Sequence, residues 1–251
     1  MAGVKHVVLM ISVAALVWGC GGKKEEAQPP TSKQNLDKVA TKAEVKPLFD
    51  PNDTDHVKIE EAIRFEIDKH GGELTKADLG KVTGLYFSGK LTDLSALAGL
   101  EQLKNLGLSG NNLTDEQLKH FGGLRQLTSL RLAGNKLTDV SALAGLTQLE
   151  TLNLSINQIT DVSALAGLTK VERLDLGGNK LADGQLKHLA GLAQLKELDL
   201  SFNQLTDVST LAGLKRLEQL DLNSNPNLTK AEVDKLKKAL PRCRIYSNAK
   251  K

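Results

Sequence analysis

One pattern, L-x-x-L-x-L-x-x-N-x-L, governs this chain from residue 103 onward. The first full copy carries Leu103, Leu106, Leu108, Asn111 and Leu113, and the second carries Leu127, Leu130, Leu132, Asn135 and Leu137. It continues at Leu149, Leu152, Leu154, Asn157 and Ile159, then at Val171, Leu174, Leu176, Asn179 and Leu181. Leu195, Leu198, Leu200, Asn203 and Leu205 follow, and Leu217, Leu220, Leu222 and Asn225 come last. Successive copies start 24, 22, 22, 24 and 22 residues apart. An earlier copy at Val82, Leu85, Phe87 and Leu91 is one residue short, with Ser88, Gly89 and Lys90 where the asparagine belongs. A degenerate copy at the far end holds Leu240, Cys243 and Ile245. Terminal units depart from consensus because they have a neighbour on one side only.

The x-L-x-L segment alternates, so Leu106 and Leu108 face one side of a short strand and their neighbours the other. A single unit cannot bury its leucines; stacked units can, and stacking builds a parallel sheet over a continuous core. The asparagines then share one corner, where an amide can bond turning backbone that stacking removes from water. The return segments come in two lengths. Residues 138–146, 160–168 and 206–214 are short copies, whereas residues 114–124 and 182–192 have two more. Their aspartates, Asp139 and Asp183 among them, suit capping of a short helical turn, and the extra residues lengthen a 3₁₀ turn toward one α-helical turn.

This pattern resembles the leucine-rich repeat family, in particular its bacterial short-repeat, internalin-type members, over about residues 74–246. The resemblance implies an α/β solenoid: a right-handed superhelix with a concave parallel sheet and short 3₁₀ or α turns on the convex side. It also implies that the concave face is the recognition surface. Both ends read as caps. Residues 55–70 place Val57, Ile59, Ile63 and Ile67 on a helical stripe that Gly71 and Gly72 would end. Thr75 and Asp78 have the spacing of a capping box, and residues 229–240 form an amphipathic helix capped by Thr229 and stopped by Pro241. Cys243 and Ile245 would then point inward from a last strand. The expected organisation is a signal peptide at 1–19, a lipidated cysteine and flexible tether at 20–48, an N-terminal cap at 49–81, about seven repeats at 82–228 and a C-terminal cap at 229–251.

The N-terminus reads as an address. Lys5 precedes an apolar run, residues 7–17, that is too short to span a bilayer but suits a secretory signal. Val17, Trp18, Gly19 and Cys20 resemble a bacterial lipobox, in which cleavage before the cysteine leaves it lipid-modified; the alternative is an ordinary signal peptide that contains a cysteine. Cleavage removes Lys5 and no acidic group, taking the net charge from +3 to +2. Residues 21–47 have mixed charge and few large apolar side chains, so they cannot repay their ordering entropy. Gly21 stands where lipoproteins retained at the inner membrane often carry aspartate, so the resemblance implies an outer-membrane or cell-surface destination.

Little in the chain points to chemistry. With 33 basic and 30 acidic side chains, charge gives no reason to expect a nucleic-acid partner. Gly84, Gly89 and Lys90 match part of a phosphate-binding loop, but Leu91 replaces the hydroxyl residue and the run crosses a repeat strand, so the structural reading is preferred. His120 and His188 recur at one repeat position, while His56 and His70 flank the cap helix. No zinc-type spacing or nucleophile elbow occurs. No metal, cofactor or catalytic residue is expected, and the chain reads as non-enzymatic and monomeric.

What remains is the concave face. Alternation places Arg173 and Glu197 in one outward column and Tyr86, Arg131, Asn153, Asp175, Asp199 and Asp221 in the next. Neighbouring strands set the three aspartates about 5 Å apart, where unpaired like charges repel and a cationic partner would relieve them. The alternative is a solvated face neutralised by Arg173 and counter-ions. Ile156 and Phe202, just past the strands, are the large apolar candidates on its rim. The sequence therefore implies a lipid-anchored module holding a protein or peptide on these residues, with a ligand-free structural envelope lipoprotein as the other reading.

Overall fold

The computed structural model describes residues 49–250; the residues expected to form the signal peptide, the lipidated Cys20 and the whole of the expected tether lie outside the described residues. Eight strands of three residues follow one another in a single parallel sheet, each paired to the next. They are β1 (Gly84–Tyr86), β2 (Asn105–Gly107), β3 (Ser129–Arg131), β4 (Thr151–Asn153), β5 (Arg173–Asp175), β6 (Glu197–Asp199), β7 (Gln219–Asp221) and β8 (Arg244–Tyr246). The register puts Leu85, Leu106, Leu130, Leu152, Leu174, Leu198, Leu220 and Ile245 in one inward file. From Leu85 to Leu220 none of these is more than 3% exposed, so the stack has one uninterrupted core. Ile245, on the last strand, is only partly covered. The parallel sheet with 3₁₀ returns is the solenoid the repeat pattern dictates.

The asparagine file holds the turns together. Asn157 donates from Nδ2 to the carbonyls of Leu132 and Leu154, 3.0 Å each, and its Oδ1 accepts the Leu137 amide of the repeat before. Asn135, Asn179, Asn203 and Asn225 repeat this two-way bonding. Asn111 differs: its Nδ2 reaches the Phe87 and Ser109 carbonyls, but its Oδ1 has no partner. The preceding copy is the one that lacks a residue at this corner, so no amide stands where the other repeats supply one.

Short copies turn as expected, with the Asp139, Asp161 and Asp207 carboxylates accepting the amides of Ser141, Ser163 and Ser209. The long copies depart from expectation in two ways. Residues 114–124 form a turn of α-helix, α3 (Asp115–Leu118), where Gln117 Oε1 accepts the Thr114 amide and hydroxyl. The second long copy stays 3₁₀ over Asp183–His188. Ala182 cannot supply that hydroxyl, and Gly184 stands where Glu116 does, a change of about 0.5–1 kcal/mol against helix. Nor does Asp183 cap its own turn. It accepts the Thr206 amide and hydroxyl of the following repeat, as Asp115 does with Thr138. These aspartates clasp one repeat to the next.

The N-terminal helix α1 (Thr54–Glu66) uses the same clasp. Buried Asp55 accepts the Thr92 amide and hydroxyl and the Asp93 amide, at 2.6, 2.7 and 3.1 Å. Ile59 and Ile63 enter the core, while Val57 and Ile67 are half-buried. The helix ends before Gly71, contrary to the expected span. Asp68 takes φ 53°, and Lys69 N bonds Arg64 O as Asp68 N bonds Phe65 O, closing the last turn. Aspartate tolerates that conformation, so the glycines were not needed to stop it. A second short helix, α2 (Lys76–Leu79), starts on the Thr75–Asp78 capping box. After β7, α4 (Lys230–Ala239) begins at Thr229, and β8 completes the sheet. Cys243 is half-buried, and burial pushes its thiol up to about 11, which keeps it protonated and inert.

Candidate functional site

Because each strand has one inward aliphatic residue, leucine in β1–β7 and Ile245 in β8, flanked by two outward residues, the sheet displays two files. Register aligns Gly84, Asn105, Ser129, Thr151, Arg173, Glu197, Gln219 and Arg244 in the first. The second runs Tyr86, Gly107, Arg131, Asn153, Asp175, Asp199, Asp221 and Tyr246. Arg131, Asn153, Arg173, Asp175, Glu197, Asp199 and Asp221, all singled out from sequence, line one groove of about 580 Å³. Tyr86 lies outside it, at the first strand, with its ring over Gly107: a β-carbon there would stand 2.6 Å from the Tyr86 Cδ1. Tyr246 closes the groove at the other end and was missed. Its signal was present, since it follows inward Ile245 as Asp221 follows Leu220.

The acidic file has a structural duty that charge does not explain. Asp175, Asp199 and Asp221 each accept, through Oδ1, the amide two residues on: Gly177 at 3.0 Å, Ser201 at 2.8 Å and Asn223 at 2.8 Å. Asn153 makes the same bond to Ser155 at 2.9 Å. An uncharged amide therefore serves this turn, and the three negative charges are additional to it. Among the described residues no lysine, arginine or histidine pairs with any of the three within 4.0 Å, Arg173 included. Asp175 also accepts Asn153 Nδ2 at 3.0 Å. Its carboxyl is nevertheless raised above the ordinary value, first by burial and then by the charge of Asp199.

Past each of β2 to β7 the chain reaches a left-handed residue just before the asparagine. Gly110, Gly134 and Gly178 fill three of these positions, at φ 70°, 66° and 68°. Ile156, Phe202 and Ser224 occupy the same position at φ 53°, 54° and 58°. The conformation costs a side-chain-bearing residue about 1–2 kcal/mol, and isoleucine, branched at Cβ, is especially ill suited to it. Yet Ile156 and Phe202 are 68% and 65% exposed, so burial does not repay the strain.

One cluster was not foreseen. Asp53, His56 and Asp93 bring ligand-type atoms within 4.8 Å of one another. Those atoms are already engaged in capping. Asp53 Oδ1 accepts the Asp55 and His56 amides, His56 Nδ1 accepts the Asp50 amide, and His56 Nε2 lies 2.9 Å from Ser95 Oγ. The arrangement fastens α1 to the first 3₁₀ turn.

Comparison with protein-family models matches residues 102–124, 125–181 and 193–238, described respectively as leucine rich repeat, leucine rich repeat and leucine rich repeats in two copies. Among solved structures the chain is similar to internalin C2 of Listeria monocytogenes, at 33% identity and TM-score 0.67, covering 74% of this chain and 80% of that one. A second internalin of that organism, inlF, is 26% identical with TM-score 0.60, over 79% of this chain and 63% of the other. A leucine-rich repeat protein of Leptospira interrogans is 27% identical with TM-score 0.55, over 69% and 51%. The comparison with curated proteins gives no match. Repeat spacing, the asparagine file and the shared architecture agree: this chain belongs to the leucine-rich repeat family.

Proposed function

We propose that the chain is a non-catalytic, monomeric binding module that holds a protein or peptide in the groove over β3–β7, anchored to a bacterial cell envelope through a lipid on Cys20. Proteins of this family generally serve as protein-interaction modules, and the internalin neighbours fit that role. The observation that carries the reading is the unneutralised file of Asp175, Asp199 and Asp221, whose turn bonds Asn153 makes without charge. Like charges held about 5 Å apart repel, and a docked cationic group turns that repulsion into attraction. A structural lipoprotein without a ligand would have no use for it. The lipobox-like Val17–Cys20 and the polar segment after it support the anchor and an outer-membrane or surface location.

Replacing the three aspartates by asparagine removes the charge and keeps the turns. The triple variant is expected to bind its physiological partner at least about tenfold more weakly, with an unchanged fold, and the wild-type affinity is expected to fall as salt rises. Equal capture by both proteins would refute the charge-based reading. Mass spectrometry of the mature N-terminus tests the anchor: a lipid adduct on Cys20 is expected, and an unmodified cysteine ends that claim.

A further inference from the structure

The rim of the groove contains an observation that folding does not explain. Six repeats share the left-handed position before their asparagine, and glycine serves it in three. Placing isoleucine and phenylalanine there strains the backbone and leaves both side chains mostly in water. Gly178 lies between them in the stack, and it carries no side chain. Ile156 forms one wall of the resulting notch, with its Cγ1 3.5 Å from the point where a Gly178 β-carbon would stand. Phe202, one repeat further on, forms the other, about 10 Å from Ile156 by strand spacing.

The notch also borders the acidic file. A β-carbon on Gly177, the residue before Gly178, would lie 3.1 Å from Asp199 Oδ1 and 3.3 Å from Asp175 Oδ1. Backbone bonds keep the rim in step with the sheet: the Ile156 amide donates to the Gly177 carbonyl at 2.8 Å, and the Gly178 amide to Ser201 at 2.9 Å. An apolar notch and a row of unpaired carboxylates thus stand side by side at fixed spacing.

The geometry points to a two-part dock: a polypeptide segment of the partner inserts an aliphatic or aromatic side chain between Ile156 and Phe202 while a nearby lysine or arginine reaches Asp175, Asp199 and Asp221. This rests on the binding role proposed above and specifies the ligand as basic and apolar together. Neither half suffices alone, because exposed carboxylates attract any cation weakly and a small apolar notch has little area. The two together confer selectivity for a segment that presents both groups at matching spacing.

The test uses a random displayed-peptide library panned against the purified protein, with affinities of the enriched peptides then measured on two variants. Ile156→Gly with Phe202→Gly removes the rim pair, and Asp199→Asn with Asp221→Asn removes two charges. The glycine variant should fold, since glycine occupies the position in three other repeats; Phe202→Ser, matching Ser224, is a second rim variant. Enriched peptides are expected to carry lysine or arginine within a few residues of leucine, isoleucine, phenylalanine or tryptophan. Each variant should weaken them about tenfold or more. If the asparagine variant loses binding and the rim variants retain it, the two-part dock is overturned while the charged groove stands. If rim variants alone lose binding, the coupling to the acidic file is overturned. Failure of any peptide to enrich, or binding unaffected by either change, overturns both this inference and the binding role.

Discussion

Asn179→Ala will lower the free energy of unfolding by about 3–5 kcal/mol, a large share of the roughly 5–15 kcal/mol typical of a folded domain. The side chain is 7% exposed and has partners in two repeats. Its Nδ2 donates to the Leu154 and Leu176 carbonyls, and its Oδ1 accepts the Ile159 amide. Alanine leaves the buried Ile159 amide without a partner, at about 1–3 kcal/mol. It also removes one of two amide donors from each carbonyl, about 0.5–1.5 kcal/mol apiece, since Asn157 still donates to Leu154 and Asn203 to Leu176. Asn111→Ala provides the internal comparison. Its Oδ1 has no partner to lose, and its Nδ2 bonds at 3.3 and 3.1 Å are longer, so about 1–2 kcal/mol is expected. Urea denaturation of the two variants checks the ordering. Equal losses would mean that the two-way amide bonding is not what joins the turns. Because each unit is stabilised by its neighbours, the Asn179 variant should also show a smaller m-value if the stack separates there.

Asp55→Asn will cost about 2–3 kcal/mol near neutral pH and make the remaining stability less sensitive to acid, since three charge-assisted bonds become ordinary ones. Burial by itself would raise the Asp55 carboxyl, but the Thr92 amide and hydroxyl, Lys58 and the Asp93 amide outweigh it and hold the group well below the ordinary 3.8. Asp78 is also held below that value, chiefly by Lys69 with Thr75 and Lys81. Asp115 and Asp183 are lowered too, their threonine clasps exceeding the opposing effect of burial. A carboxyl lowered in the folded state stabilises fully above its unfolded value and loses that contribution as pH falls toward the folded one. The melting temperature should therefore decline steadily as pH drops below about 4, and less steeply in the variant. Asp175 has the opposite sign: its raised value favours the protonated form, so its contribution is present at low pH and lost as pH rises through the folded value. A melting temperature flat down to pH 2 would contradict the clasp account.

The repeat made the architecture legible because one constraint, leucines that no single unit can bury, acts identically in every copy. The same regularity located the outward files residue by residue, from Tyr86 to Asp221. Legibility failed where copies differ by a single side chain. Thr114 and Ala182 occupy the same place, yet only the first can bond Gln117, so one long return becomes α-helix and the other remains 3₁₀. Asp183 looked like a cap because aspartate favours helix starts, but the following repeat offers it Thr206. That partner is separated by 23 residues, and only the stacked geometry brings it near. Ile156 and Phe202 were legible as rim residues, but not as strained ones. Their φ values follow from sharing a backbone position with Gly110, Gly134 and Gly178, which alignment of the copies by their asparagines would have revealed.

The claim at the centre of this account is that a polypeptide partner rests on the outward sheet face beside the acidic file. Site-specific photocrosslinking in the cell that makes the protein measures it most directly. One probe replaces Arg173, in the groove, and a control replaces Ala166, exposed in the 3₁₀ turn Ser163–Gly167 behind the sheet. A discrete crosslinked protein is expected from position 173, lost when Asp175, Asp199 and Asp221 become asparagine, and none is expected from position 166. A product from position 166 with none from 173 would place the docking surface on the other side of the solenoid and contradict that claim.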